Sequence, residues 1–308
     1  MDALASLLAI TMNAGTPLLL ASVGIVVNER SGVVNLGTEG MMLVAAVVAF
    51  AATLASGHYW IGFIAGAIAG ALLASLFAAL AIGLLTNQFA TGLALALFGA
   101  GVSSFIGLGL QADTLPVRGA DGIPILRDVA FIGPAFFSQH WLVYGSLVLT
   151  GAVAWFLFRT RAGLVLRAVG ESPQSAHALG YPVRRIRCLA LAFGGACAGL
   201  AGAYLSTIYT PLWSEGIVAG RGWIALALVT FATWRPGRVL LGAYLFGGVT
   251  MLQFYLQGQG VGIATPWLAM APYVATITVL ALISRNPRWI RLNMPASLGK
   301  PFSAEALP

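Results

Sequence analysis

"WIGFIAGAIAGALLASLFAALAIGLL", residues 60–85, carries no charged side chain from end to end. A helix that crosses a bilayer needs roughly 20 apolar residues, and this run exceeds that length. In a soluble protein such a run could be a buried core helix, but this chain offers too little polar surface to cover one. It is 59% hydrophobic and 8% charged, with a mean hydropathy of +0.91, where soluble domains carry about 25% charged residues. The chain therefore reads as an all-α, polytopic membrane protein. Within the run, Gly62, Gly66 and Gly70 recur every four residues. Such a stripe lets helices approach closely in lipid, either inside one subunit or across a dimer interface.

Working outward, about nine stretches (eight to ten) are long and apolar enough to span. They lie near 4–27, 33–56, 60–85, 88–110, 140–158, 188–210, 222–234, 239–257 and 266–284. All belong to one membrane domain, 1–308. Its N-terminus, "MDALASLL", lacks a basic region and a clear cleavage site, so an uncleaved first span is expected.

Three polar segments interrupt the spans. Segment 111–139 has mixed charge and an aromatic end. Segment 159–187 carries Arg159, Arg161, Arg167, Arg184, Arg185 and Arg187 against Glu171, and the tail 285–308 carries Arg285, Arg288, Arg291 and Lys300 against Glu305. The positive-inside rule places the second and third in the cytoplasm and the first outside. Counting spans back from a cytoplasmic C-terminus puts the N-terminus outside, and the remaining loops agree. The net charge of +7 thus sets orientation, and a nucleic-acid partner is not expected.

Two spans are irregular. The run 222–234 is too short to cross as a straight helix, and "TWRPGR" ends it. In the second span, Asn35, Gly37, Thr38, Glu39 and Gly40 occupy what should be an apolar first half. Broken segments near 33–42 and 222–238 are expected, and non-helical backbone at that depth is tolerated only where protein or a cavity surrounds it. One interrupted segment in each half of a chain is a transporter pattern.

Three ionisable groups accompany the first break, in "NERSGVVNLGTEGMM", 28–42. Glu29 and Arg30 fall at the cytoplasmic end of the first span, to pair with each other or meet headgroups. Glu39 lies deeper, where a carboxylate costs a few kcal/mol unless paired or wetted. With Asn35 and Thr38 it either lines a permeation path or holds the broken helix together.

In "RAVGESPQSAHALGYPVRRIR", 167–187, Ser172 and Pro173 form an N-cap and N1 pair, and Gly180 suits the C′ position. They predict a helix of about two turns, Pro173–Leu179, with Ala176 and Leu179 on one face. So short a helix is unstable alone, so it should dock on a protein groove or on anionic lipid.

Cys188 and Cys197 are nine residues apart in one apolar stretch, about 13 Å of helical rise and too far for a disulfide. No metal-ligand spacing and no nucleophile–base pair is legible, with His58, His140 and His177 in loops or at span edges. No catalytic residue is expected. The only lysine, Lys300, precedes Pro301, so no phosphate-cradling G-x-x-x-x-G-K-[ST] motif exists.

The segments "ERSGVVNLGTEGMM", "RAVGESPQSAHALGYPVRRIR" and "GRGWIALALVTFATWRPGRVLLGAYLFGG" resemble the signature segments of ABC importer permeases. The group is the branched-chain amino acid and simple-sugar permease family, and within it the nucleoside-type permeases served by Bmp-type lipoproteins. The resemblance covers roughly residues 5–285. It implies a coupling helix spanning Gly170, Glu171, Ser172, Pro173, Ala176, Leu179 and Gly180, which inserts into an ATPase subunit. Members usually show Gly-Glu-Asn-Pro, where this chain has Ser172; both residues cap well. The resemblance further implies ATP and magnesium on the ATPase and no cofactor on this chain. A second permease subunit (a related chain favoured over a second copy of this one), an extracytoplasmic lipoprotein, residence in the bacterial inner membrane, and nucleosides or purines as substrate follow from it. Sugar or branched-chain amino acid import is the alternative inside the family, and an ion-coupled carrier using Glu39 is the alternative outside it.

Overall fold

In the computed structural model the described residues are 2–116, 122, 132–259, 267, 270–272, 274–275, 277–278 and 293–303. The chain is all-helical, as its composition requires. Its α-helices are α1 (Asp2–Arg30), α2 (Thr38–Ser56), α3 (Tyr59–Ala78), α4 (Gln88–Gly107), α5 (Trp141–Arg159), α6 (Arg161–Glu171), α7 (Pro173–Ala178), α8 (Val183–Tyr204), α9 (Arg221–Phe231) and α10 (Pro236–Gly258). Short π-helical turns at Ala79–Gly83 and Leu205–Tyr209 extend α3 and α8. Among the described residues seven helices are long and apolar enough to span a membrane, and α9 is a shorter apolar helix. The ninth expected span, 266–284, falls largely outside the described residues, as does most of the 117–131 part of the first polar segment.

Helices α1, α2 and α8 form the interior, and α3, α4, α5 and α10 pack around them. The outer helices turn large apolar side chains outward, including Ile64, Ile68 and Leu72 on α3, Leu97 on α4 and Leu241 on α10. That is the surface a bilayer requires.

The glycine stripe of α3 packs against α8 and α2 of the same chain. A Cβ at Gly66 would lie 2.9 Å from the Cβ of Ala203, and one at Gly70 2.8 Å from the Cα of Gly199. At Gly62 an added Cβ would meet the Ala49 carbonyl on α2 at 2.8 Å. Of the two readings of the stripe, packing within the chain is the one realised.

The second span does not begin as a helix. Gly32 turns the chain in the left-handed region (φ +90°), residues 33–35 are non-helical, and α2 starts only at Thr38. Backbone groups in this break find partners elsewhere. The Val34 N–H donates to Oε1 of Gln88 on α4 at 2.9 Å, and the Gly32 carbonyl accepts the Gly299 N–H at 3.1 Å. Non-helical backbone is thereby satisfied inside protein. Helix α9, at 11 residues, rises only about 16 Å, and each of its ends is a sharp reversal. Ala219 and Gly220 precede it, and Thr233 and Trp234 follow it, all at positive φ.

Candidate functional site

The polar residues of the break converge on α9. Glu39 is 9% exposed. Its Oε1 accepts the Gly220 N–H at 2.8 Å and its Oε2 accepts the Gly222 N–H at 2.7 Å. A carboxylate thus occupies the positive end of the helix dipole and takes up backbone donors that the first turn leaves unpaired. Gly222 allows the approach, since a Cβ there would sit 2.7 Å from the Glu39 Cα.

Asn35 and Thr38 shape the start of α2. Oδ1 of Asn35 accepts the Gly37 N–H at 2.9 Å, and the Thr38 hydroxyl donates to the Asn35 carbonyl at 3.1 Å. All three side chains are buried and all three are engaged in holding the interruption.

Glu29 and Arg30 hold the other end of α9, and they do so separately instead of as a pair. The Trp234 indole N–H donates to Oε2 of Glu29. Arg30 donates to the Trp234 carbonyl from Nε at 3.2 Å and from Nη2 at 3.1 Å, and to the Asn293 carbonyl at 3.1 Å. Both residues are buried, so neither meets headgroups. A β-branched residue at φ 51°, as Thr233 is, survives only where its surroundings over-determine it. The fixed neighbour Trp234 supplies that constraint. The three charged residues of 28–42 therefore clamp one short helix at its two ends; Glu39 at the N-terminus and Arg30 at the C-terminus are each at the end where the dipole favours their sign, and Glu29 is held at the C-terminal end by the Trp234 indole.

The cytoplasmic-loop helix forms as its caps dictate. The Ser175 N–H donates to Oγ of Ser172 at 3.2 Å. At the far end Tyr181 N–H reaches the Ala176 carbonyl at 3.1 Å and Gly180 N–H the His177 carbonyl at 2.8 Å, with Gly180 at φ +86°. This is a Schellman closure. One expectation is corrected: Ala176 and Leu179 do not share a face. Ala176 is buried against Val169, Val183 and Phe302, while Leu179 is 77% exposed. Phe302 comes from the tail and wedges beneath the helix, which turns Ala176 inward.

The tail segment 293–303 is a structural strap. The Gly170 carbonyl accepts both the Ser297 N–H (3.0 Å) and the Ser297 hydroxyl (2.6 Å), and Glu171 Oε2 accepts the Ala296 N–H at 3.3 Å. Arg187 locks the assembly. It is 2% exposed and donates to the Ser31 carbonyl (3.1 Å), the Ser297 hydroxyl (3.1 Å) and the Lys300 carbonyl (3.3 Å). In the sequence Arg187 groups with the loop arginines. Its signal was the apolar run that follows directly, because a charge within a span needs a named partner. Arg187→Met should strand these acceptors and lower the stability of the detergent-purified protein by about 2–3 kcal/mol, seen as a fall in its thermal midpoint. Arg187→Lys should recover little of it, since an ammonium cannot reproduce the planar fork.

Seven long apolar helices among the described residues, with interrupted segments braced around a short helix, make this a polytopic membrane protein. The chain belongs to the family described as the branched-chain amino acid transport system / permease component, whose model matches residues 7–282. It is 39% identical over 323 aligned residues to a putative glucose ABC transporter permease of Haloferax volcanii, with 98% of each chain covered. A nucleoside ABC transporter permease of Lactococcus lactis is 35% identical, covering 87% of this chain and 88% of its own. A guanosine ABC transporter permease of Bacillus subtilis is 32% identical, covering 88% and 89%. No solved structure matches. The chain is thus a multi-pass ABC permease subunit, a component of a transport system.

Proposed function

We propose that this chain is the translocating subunit of an ATP-driven importer for a small sugar-bearing solute, nucleosides foremost. In this reading an extracytoplasmic lipoprotein delivers the solute, a second, related permease completes the pore, and a partner ATPase binds ATP and magnesium. The N-terminus lies outside and the C-terminus in the cytoplasm, in the plasma (inner) membrane.

The observation that carries the reading is α7. It is capped at both ends, anchored through Ala176, and holds Leu179 out in water. A helix that short is kept rigid at a structural cost, which fits a docking element and has no use in a carrier powered within one chain. The lack of a phosphate cradle leaves the energy source to a partner.

The three relatives named above are a glucose, a nucleoside and a guanosine permease, and the named solutes share a hydroxylated sugar ring. Deleting the gene and measuring uptake of labelled guanosine and labelled glucose separates them. Loss of guanosine uptake alone is expected. Loss of glucose uptake alone would transfer the assignment to a hexose, and unchanged uptake of both in ATP-replete cells would overturn it.

A further inference from the structure

Helices α7 and α9 rest on different neighbours. Helix α7 packs on α6 and α8, whereas α9 packs mainly on α1, α2 and α10. The tail between Asn293 and Phe302 reaches the surroundings of both. Under α7, Phe302 sits against Ala176 and meets the His177 ring edge-on, with 5.7 Å between ring centroids. At the end of α6, the Gly170 carbonyl takes both donors of Ser297, and Glu171 takes the Ala296 N–H. At the other end of the strap, the Asn293 carbonyl accepts Nη1 of Arg30, whose Nε and Nη2 hold the Trp234 carbonyl at the exit of α9. One planar guanidinium thus ties the tail to the turn that ends α9.

The middle of the strap has no slack. A Cβ at Gly32 would strike the Ser297 hydroxyl, and one at Gly170 would strike the Arg30 carbonyl. Arg187 pins Ser31, Ser297 and Lys300 together. Packing this close passes a displacement on instead of absorbing it. Helix α9, by contrast, has room. A cavity of about 430 Å³ opens between Leu226, Ala227 and Thr230 on α9 and Met294, Pro295 and Leu298 on the strap. Sharp reversals bound α9 at both ends, and such element-terminal positions are where a rigid segment can hinge.

We propose that, with α7 docked on the ATPase as above, the strap carries the displacement of α7 to α9, and that Arg30 is the positioning residue at the α9 end. This role depends on that docking and adds the route from it into the spans. A movement of α7 takes Phe302 with it, the tail shifts as one piece with Gly170, and Arg30 moves the exit of α9 into or out of the cavity. Contiguous hydrogen-bonded networks carry coupling of this kind where the element they bias has two arrangements.

The test uses the purified complex of permease and ATPase, with Cys188→Ala and Cys197→Ala as background and Ala227→Cys as the reporter on α9. A water-soluble maleimide labels the reporter in the nucleotide-free state and after ATP with vanadate. With the strap intact the two rates should differ about ten-fold, within the range of ordinary coupling between sites. Ser297→Ala removes one donor to Gly170, and Arg30→Lys loses the planar fork. Each should cut the ratio to about four-fold. Links acting in one series are not additive, so the double variant should do no worse than the stronger single. Ser297→Ala leaves the caps of α7 and Leu179 untouched and should keep the ATPase bound, so it decides alone if Arg30→Lys fails to assemble. A strap that only stabilises would lower the thermal midpoint of Ser297→Ala and leave its ten-fold ratio intact, which would overturn the proposal and leave the direct Gly170–Arg30 contact as the route. Equal rates in the two states with the strap intact, or single effects that multiply in the double variant, would also overturn it. A wild-type permease that retains no ATPase would instead remove the importer reading itself, a result distinct from all of these.

Discussion

Replacing Leu179 with aspartate should strip the partner ATPase from the purified permease while the permease itself stays folded. Leu179 is 77% exposed, so little packing among the described residues is lost. Its backbone is fixed by the Schellman closure of α7, and the foot of that helix is buried through Pro173 and Ala176. The side chain is therefore an apolar knob on a rigid mount. A carboxylate forced unpaired into a protein groove costs about 3–5 kcal/mol, a weakening of a hundredfold or more. Co-elution of the ATPase in gel filtration reads the effect directly. Ala176 is the wrong position for this experiment, although helical spacing alone suggests it. A bulky charge there would lift Phe302 and the tail away, and any loss of ATPase would report a broken base. A Leu179→Asp permease that keeps the ATPase at the wild-type level would show that α7 does not dock there.

The caps of α7 were legible because every determinant lies within nine residues, from Ser172 to Gly180. N-cap oxygen, proline at N1 and left-handed glycine act on their own backbone. The two broken spans were legible for a related reason: polar residues and turn formers sit where an apolar helix should be. The partners of these local features were hidden. Ala176 is covered by Phe302, Arg187 by the turn at Ser31 and the strap at Ser297, and Glu39 by the start of α9. Each of these contacts joins elements more than a hundred residues apart, and nothing in either local pattern names the other.

The start of α2 shows the same division on a smaller scale. A polar stretch from Asn35 to Gly40 announced an interruption, yet the apolar pattern set the span from residue 33. The helix begins at Thr38 because Gly32 turns the chain and Gln88, on another helix, takes the Val34 N–H. Hydropathy cannot see a side chain that satisfies non-helical backbone in the interior.

Glu39 offers the sharpest separation of structure from transport. Its two oxygens accept two backbone N–H groups, from Gly220 and Gly222. Glutamine has one acceptor oxygen, so Glu39→Gln must aim its NH₂ group at one of those donors. One buried N–H is then orphaned, at about 1–3 kcal/mol, and the negative charge at the helix N-terminus is lost, at up to about 2 kcal/mol. Glu39→Ala orphans both donors and should cost more. The gap cannot close by sliding α9 nearer, because Gly222 already lies against the Glu39 backbone. The clamp thus requires lower yield and a lower thermal midpoint in detergent for Gln, and a larger fall for Ala, with transport declining only as far as assembled protein declines. A carboxylate that instead touches the solute would give the opposite pattern for Gln, with unchanged yield and midpoint and reduced uptake per assembled complex. If Glu39→Gln leaves stability and uptake both at wild-type levels, neither the clamp nor the path role survives.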